Sequence, residues 1–166
     1  MNRSIVVVLV ILLACITQAQ AQTQTQTSEE RPFQVFVLGG LGHTNGGGNR
    51  FQIGGGAEAF VFKGVAAGGE FSRILGSQGA GGLNSLSANG SFHFLTRGKF
   101  NRFDPFATGG YTRFFSSGTG VNAVNFGGGM NYWLSEGFGL RMDFRDSKIR
   151  GGGSLIGLRG GVVLGF

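Results

Sequence analysis

The chain has 166 residues, of which 13% are charged, about half the share of an ordinary soluble domain, while glycine reaches 34 and phenylalanine 17. Its net charge is +6, but the basic residues do not gather with stacking aromatics on one element and the chain opens on an export leader, which excludes nucleic acid as a partner. The single cysteine, Cys15, sits in that leader, so disulfides and thiolate chemistry are excluded from the mature chain.

The first residues, MNRSIVVVLVILLACITQAQA, combine Arg3, an apolar run from Ser4 to Ile16 and an Ala19-Gln20-Ala21 cleavage pattern. Residues 1–21 are read as a secretory signal peptide cut after Ala21, since the apolar run is well short of the roughly 20 residues a membrane helix needs. A lipoprotein box, Leu12-Leu13-Ala14-Cys15, is the rival reading of the same leader. Residues 22–32, QTQTQTSEERP, are polar and repetitive and read as a disordered spacer.

From Phe33 the chain breaks into segments of strand character, separated by Gly, Ser and Asn. They cover 33–42, 50–62, 65–74, 85–95, 103–115, 122–134, 138–146 and 155–166. The connections Lys63-Gly64 and Ser135-Glu136-Gly137 are short, whereas HTNGGGN, LGSQGAGGLN, SSGTGV and SKIRGGG are longer. That alternation, blurred only by TRGKFNR at 96–102, is the layout of an outer-membrane barrel, with periplasmic turns on one side and extracellular loops on the other. Ten residues at about 3.3 Å each, tilted near 40°, rise about 25 Å, the height of the apolar band of such barrels.

In the stretch FGLRMDFRD, Phe138, Leu140, Met142 and Phe144 alternate with Arg141, Asp143 and Arg145, the period of a strand. The same alternation sets Leu86, Ala88, Gly90, Phe92 and Phe94 against serines, Asn89 and His93, and sets Val124, Phe126, Met130, Tyr132 and Leu134 against Asn125, Gly127, Gly129, Asn131 and Trp133, the last an aromatic on the inward row. The facing of 33–42 and of 103–115 stays open. The polar rows are built from Gly, Ser, Asn and Ala rather than the Lys, Glu and Thr of a washed sheet face. Such small residues suit the crowded lumen of an eight-stranded barrel, whose interior side chains just fill. Glu58, Glu70 and Asp143 against Arg141, Arg145 and Arg159 then form a balanced ionic network inside, because an unpaired charge there is heavily penalised. Aromatics fall toward strand ends: Phe60, Phe62, Phe92, Phe94, Tyr132, Trp133 and Phe166 at one, Phe51, Phe114, Phe115 and Phe144 at the other.

The run DPFATGGYTRFFSSGTGVNAVNFGGGMNYWLSEGFGLRMDFRD, 104–146, resembles the eight-stranded outer-membrane β-barrel family that includes the membrane domain of outer membrane protein A and the opacity proteins. The likeness lies in Pro105-Phe106 opening a strand, GGGMNYWLS running into a tight turn, and LRMDFRD. The ending LRGGVVLGF, with Leu158, Val162, Leu164 and Phe166 on one row, is similar to the C-terminal signal by which such chains are taken up for insertion. The resemblance implies an all-β, eight-stranded antiparallel up-and-down transmembrane barrel over 33–166. It also implies a place in the outer membrane, lipid around a monomer, and the barrel assembly machinery as partner during insertion. Short loops and the lack of a peptidoglycan-binding domain argue against receptor-like adhesion and cell-wall anchoring.

Three functions compete. A structural or surface-interacting barrel with an ion-plugged lumen is favoured, since eight strands enclose no open channel. A narrow porin-like channel is the alternative. A lipid-modifying enzyme, which needs a positioned nucleophile and base, is weaker: His93 shares a strand with Ser85, Ser87 and Ser91 but shows no matching carboxylate, and His43 lies in a loop. Two distant histidines make no metal cluster, and the glycine runs are not phosphate loops because no helix follows them. No catalytic residue, cofactor or metal is therefore expected. Arg50, Arg73, Lys148 and Arg150 stand at the loop ends, facing lipid phosphate or solvent, and any extracellular loop partner stays unnamed.

Overall fold

Alternation at period two is satisfied only if neighbouring strands pair along their whole length, and the computed structural model shows that pairing. It describes residues 32–44, 48–76, 82–94, 102–116 and 119–166; the leader and nearly all of the spacer lie outside the described residues. The strands are β1 (Phe33–Thr44), β2 (Gly48–Phe62), β3 (Val65–Ile74), β4 (Leu83–His93), β5 (Phe103–Ser116), β6 (Thr119–Trp133), β7 (Phe138–Ile149) and β8 (Ser154–Gly165). Each pairs antiparallel with the next, and β8 pairs with β1 from Gln34↔Gly165 to Thr44↔Leu155, so the sheet closes. Phe166 N donates to Phe33 O at 2.8 Å and their rings meet at 6.4 Å, which fastens the last residue to the first strand. A closed ladder leaves no unpaired edge, the condition a sheet must meet to stand in lipid.

Both ends of the barrel chain emerge at one mouth, the terminal mouth; the other is the far mouth. At the terminal mouth β2 and β3 turn through Lys63-Gly64, where Gly64 takes φ 71°, a left-handed conformation that glycine adopts without penalty. Two expectations about connections are corrected. SSGTGV is no long loop: Ser116 pairs with Thr119, so β5 and β6 join across two residues. Of SKIRGGG, Ser147, Lys148 and Ile149 belong to β7. The strands run on because small polar residues are compatible with an extended chain once a partner strand is present. The terminal mouth also carries the long connection between His93 and Phe103, so loop length does not distinguish the two mouths.

The open facings are settled. In β1, Gln34, Phe36 and Leu38 turn inward and Val37 and Leu41 outward; in β5, Asp104, Phe106, Thr108, Thr112 and Phe114 turn inward and Phe103 and Tyr111 outward. Two of the aromatics expected in the end belts, Phe60 and Phe114, are corrected by the same parity, while Trp133 keeps the inward parity read from its strand. Phe114 and Trp133, each 3% exposed, lie in the lumen, and Phe60 packs against buried His93 with ring centroids 4.8 Å apart. Phe51, Phe62, Phe92, Phe94, Phe144 and Phe166 are exposed on the outer wall, joined by Phe71, Phe103, Tyr111 and Phe138. The wall is therefore apolar and the interior polar, the reverse of a soluble sheet.

Candidate functional site

The site this wall encloses is the lumen, and it is filled in layers. Toward the terminal mouth a stack crosses it. Arg141, 2% exposed, projects from β7 with its guanidinium carbon 4.2 Å from the centre of the Phe36 ring and 4.1 Å from that of Phe106. Phe106 in turn stacks on His93 at 5.3 Å, and Phe60 meets the same imidazole edge-on at 4.8 Å. Two glycines make room for the rings. A Cβ on Gly56 or on Gly129 would come within 2.7 Å of the ring tip of Phe36 or Phe106 respectively. Each ring thus lies on a neighbouring strand where only backbone stands, the covering of glycine by aromatics that lets a barrel wall curve. A guanidinium held between two ring faces in a water-poor space gains from both π clouds.

Polar partners tie the stack to the wall. Arg141 Nη1 donates to Glu58 Oε1 at 2.7 Å, and Ser91 Oγ donates to Glu58 Oε2 at 2.9 Å. His93 Nδ1 lies 2.8 Å from Asp104 Oδ1, and Asn131 Nδ2 donates to Asp104 Oδ2 at 2.9 Å. Beside the stack, Phe36, Leu38, Trp133 and Val163 form an apolar cluster.

In the middle of the lumen four more ions interlock. Arg159 reaches Asp143 with Nη2 at 2.7 Å and Nε at 3.0 Å, and grips Glu70 with Nη1 and Nη2. Arg145 bridges the same two acids, at 2.9 Å to Asp143 and 3.4 Å to Glu70. A carboxylate facing two guanidiniums is compensated for its loss of water, the requirement for burying either sign. Toward the far mouth follows a hydroxyl layer, with Ser72 to Ser85 at 2.7 Å and Ser87 to Thr112 at 2.8 Å. It borders a polar cavity of about 20 Å³, with room for roughly one water. Ile74, Phe114, Ala123 and Leu155 pack together above it, flanked by Leu83 and Ile149, and form an apolar lid.

The structure thus places Glu58 and Arg141 in one ionic group and Glu70, Asp143, Arg145 and Arg159 in another. Leu158, Val162, Leu164 and Phe166 stand outward on β8 and its end, 38–61% exposed. Sequence reasoning put Asn131 on the polar row without giving it a partner, left the facing of Gln34, Phe36 and Phe106 open, and missed Asp104. The expectation that His93 lacks a carboxylate is corrected, because Asp104 arrives from β5 across a connection that no motif spans. Ser91 Oγ, 3.4 Å from His93 Nε2, completes a serine–histidine–aspartate series. Its geometry is that of a brace. The hydroxyl proton goes to Glu58, the imidazole is held between two rings, and Ser91 and His93 are 7% and 4% exposed. His43 instead bonds Asn49 Oδ1 at 2.9 Å at the far mouth. Among the described residues no group of His, Cys, Asp and Glu is arranged to hold a metal.

An apolar wall around an ionic lumen defines the class as a small transmembrane β-barrel. No protein-family profile matches the chain, and no curated protein matches it in sequence. Solved structures do. The N-terminal β-barrel domain of Pseudomonas aeruginosa OprF is 17% identical and superposes at TM-score 0.61 over 80% of this chain and 97% of its own. Neisserial surface protein A is 15% identical, at TM-score 0.64 over 81% and 97%. The outer membrane protein OprG from Pseudomonas aeruginosa is 11% identical, at TM-score 0.56 over 81% and 95%. The fold is that of the eight-stranded outer-membrane barrels.

Proposed function

We propose that the chain is a small integral outer-membrane protein with a structural or surface-interacting role, and that its lumen is closed. One observation carries this: Leu158 and Phe126 are 58% and 50% exposed, while Arg141 and Asp143 are 2% and 1% exposed. Only a surrounding of lipid makes that distribution favourable, because in water each exposed apolar side chain forgoes about 1.5–3 kcal/mol. In this reading residues 1–21 are an export leader, 22–32 a spacer and 33–166 the barrel. The terminal mouth opens to the periplasm, and the row ending in Phe166 serves recognition by the assembly machinery. The expected behaviour is recovery in the outer-membrane fraction, with a gel mobility that changes on boiling. Recovery from the periplasm without detergent would overturn the reading.

Closure rests on three successive barriers: the aromatic–arginine stack, the ionic quartet and the apolar lid. Purified protein in planar bilayers is expected to show no steady conductance; reproducible single-channel steps would favour the porin-like alternative. The non-enzymatic reading rests on Ser91 being committed to Glu58. Cells with and without the protein are expected to give the same lipid A mass spectra, and a reproducible change in acyl pattern would establish the enzyme.

A further inference from the structure

We propose that the far-mouth rim of β3 to β6 binds the phosphate of an outer-leaflet glycolipid on the outside of the barrel. The inference rests on the outer-membrane reading above and adds a site to it. Arg73 follows Phe71 on the outward row of β3, and Arg113 follows Tyr111 on the outward row of β5. Both therefore leave the wall on the lipid side, directly beyond exposed aromatics. An arginine so placed costs about 2–4 kcal/mol at the bilayer midplane but almost nothing at the interface. These two resolve the conflict by reaching toward the mouth. The Nη2 and Nε of Arg73 lie 3.2 and 3.3 Å from where a Cβ on Gly82 would stand, just ahead of β4; those of Arg113 lie 3.3 and 3.4 Å from the same point on Gly120, at the start of β6. Each guanidinium has its apolar stem against the wall and its head at the height of lipid headgroups.

The surroundings select an anion. Asn84 pairs with Arg73 in register, its Oδ1 accepting from Nη1 at 3.4 Å, and Asn122 pairs in register with Arg113. Arg150 N donates to Asn122 O at 2.8 Å, so a third arginine stands at the same level one strand further on. No carboxylate among the described residues pairs with Arg73 or Arg113. Asp146 on β7 is buried, 9% exposed, and pairs with Lys148 at 2.8 Å. The residues linking strands at this mouth, 45–47, 77–81 and 117–118, contain no Asp or Glu. Guanidinium forks match phosphate oxygens in pairs, amides supply further hydrogen bonds, and the phenylalanines below offer a surface for acyl chains.

The test inserts the full barrel into nanodiscs of phosphatidylcholine carrying either diphosphoryl lipid A or its dephosphorylated form, and measures lipid retained per barrel by native mass spectrometry. Wild-type protein is expected to retain the diphosphoryl form selectively. The Arg73→Gln/Arg113→Gln variant should lose about tenfold or more in apparent affinity, while Lys63→Gln at the opposite mouth should not change it. Where the double variant fails to insert, single Arg113→Gln read in the same way should still weaken retention several-fold. Equal retention by variant and wild type, or equal retention of the two lipids, overturns the proposal. So does full competition by inorganic phosphate or a soluble sulfated polysaccharide, which would make the site a general anion patch. Insertion without lipid A preference overturns this site alone; failure of the wild type to insert overturns the outer-membrane reading with it.

Discussion

Removing the Arg141 guanidinium isolates what the stack contributes. In Arg141→Met the side chain keeps much of its length, so packing between Phe36 and Phe106 is largely retained while the charge is lost. Breaking a buried ion pair at one partner costs about 3–5 kcal/mol, because the other charge is left without its match. Here Glu58 keeps the Ser91 hydroxyl at 2.9 Å and His93 at 3.7 Å, so the lower end applies. Losing two desolvated ring contacts adds about 1–2 kcal/mol each, for a total of about 5–7 kcal/mol. The double variant Arg141→Met/Glu58→Met removes both charges, and an apolar replacement of a buried pair is often neutral. It should regain most of the loss beyond the ring terms. The assay is urea unfolding of the barrel in liposomes, followed by gel mobility without boiling. A single variant within about 1 kcal/mol of wild type, or a double variant weaker than the single, would refute the argument that the pair is desolvated and mutually dependent.

Other perturbations separate lumen from wall. Gly129→Ala places a methyl against the Phe106 ring tip, the Met142 carbonyl and the Asp143 backbone and should cost about 1–3 kcal/mol, whereas Gly69→Ala, whose Cβ would meet only Ser87 O at 3.6 Å, should be near neutral in the same urea titration. Phe126→Arg, at the middle of β6, puts a cation on the lipid face and should cost about 2–4 kcal/mol, read as a lower unfolding midpoint. Deleting Phe166 should lower the yield of heat-modifiable protein in cells far more than it lowers stability after refolding in vitro, since only the end of one strand pairing is lost. Ser91→Ala should leave the lipid A acyl pattern untouched while weakening the barrel by about 1 kcal/mol through Glu58.

How much of this was legible in sequence depends on whether a feature is carried by one strand or by two. Inward and outward rows in β4, β6, β7 and β8 are properties of single segments, and the alternation in LRMDFRD shows them directly. β1 and β5 are different. The facing of Phe36 and Phe106 stays open within their own strands, and their inward turn follows from the glycines they cover. Gly56 is opposite Phe36 and Gly129 opposite Phe106 in the register, and register is a relation between strands that no segment displays alone. Asp104 is hidden for the same reason, since it meets His93 across a reversal whose length the composition does not define. The far-mouth ends were drawn too short because Ser, Thr, Asn and Lys mark both loops and strands that rise beyond the hydrocarbon.

These two kinds of feature are linked by the geometry of closure. A barrel of eight strands has so narrow an interior that inward side chains compete for volume. Where Arg141, Arg145 and Arg159 point inward, other positions must give space, and the polar rows of β2, β6 and β8 do so through Gly54, Gly56, Gly127, Gly129, Gly157 and Gly161. Glycine in these rows thus serves the close packing of wall and lumen rather than loose loops. Enlarging a lumen glycine should displace what stands against it, the backbone of the neighbouring strand and, at Gly56 and Gly129, the ring tips of Phe36 and Phe106. A double variant of Gly129→Ala with Phe106→Leu, which shortens the obstructing ring, is therefore expected to be less unstable than the two single losses added together. If the losses simply add, ring and glycine are independent, and volume competition does not explain the composition.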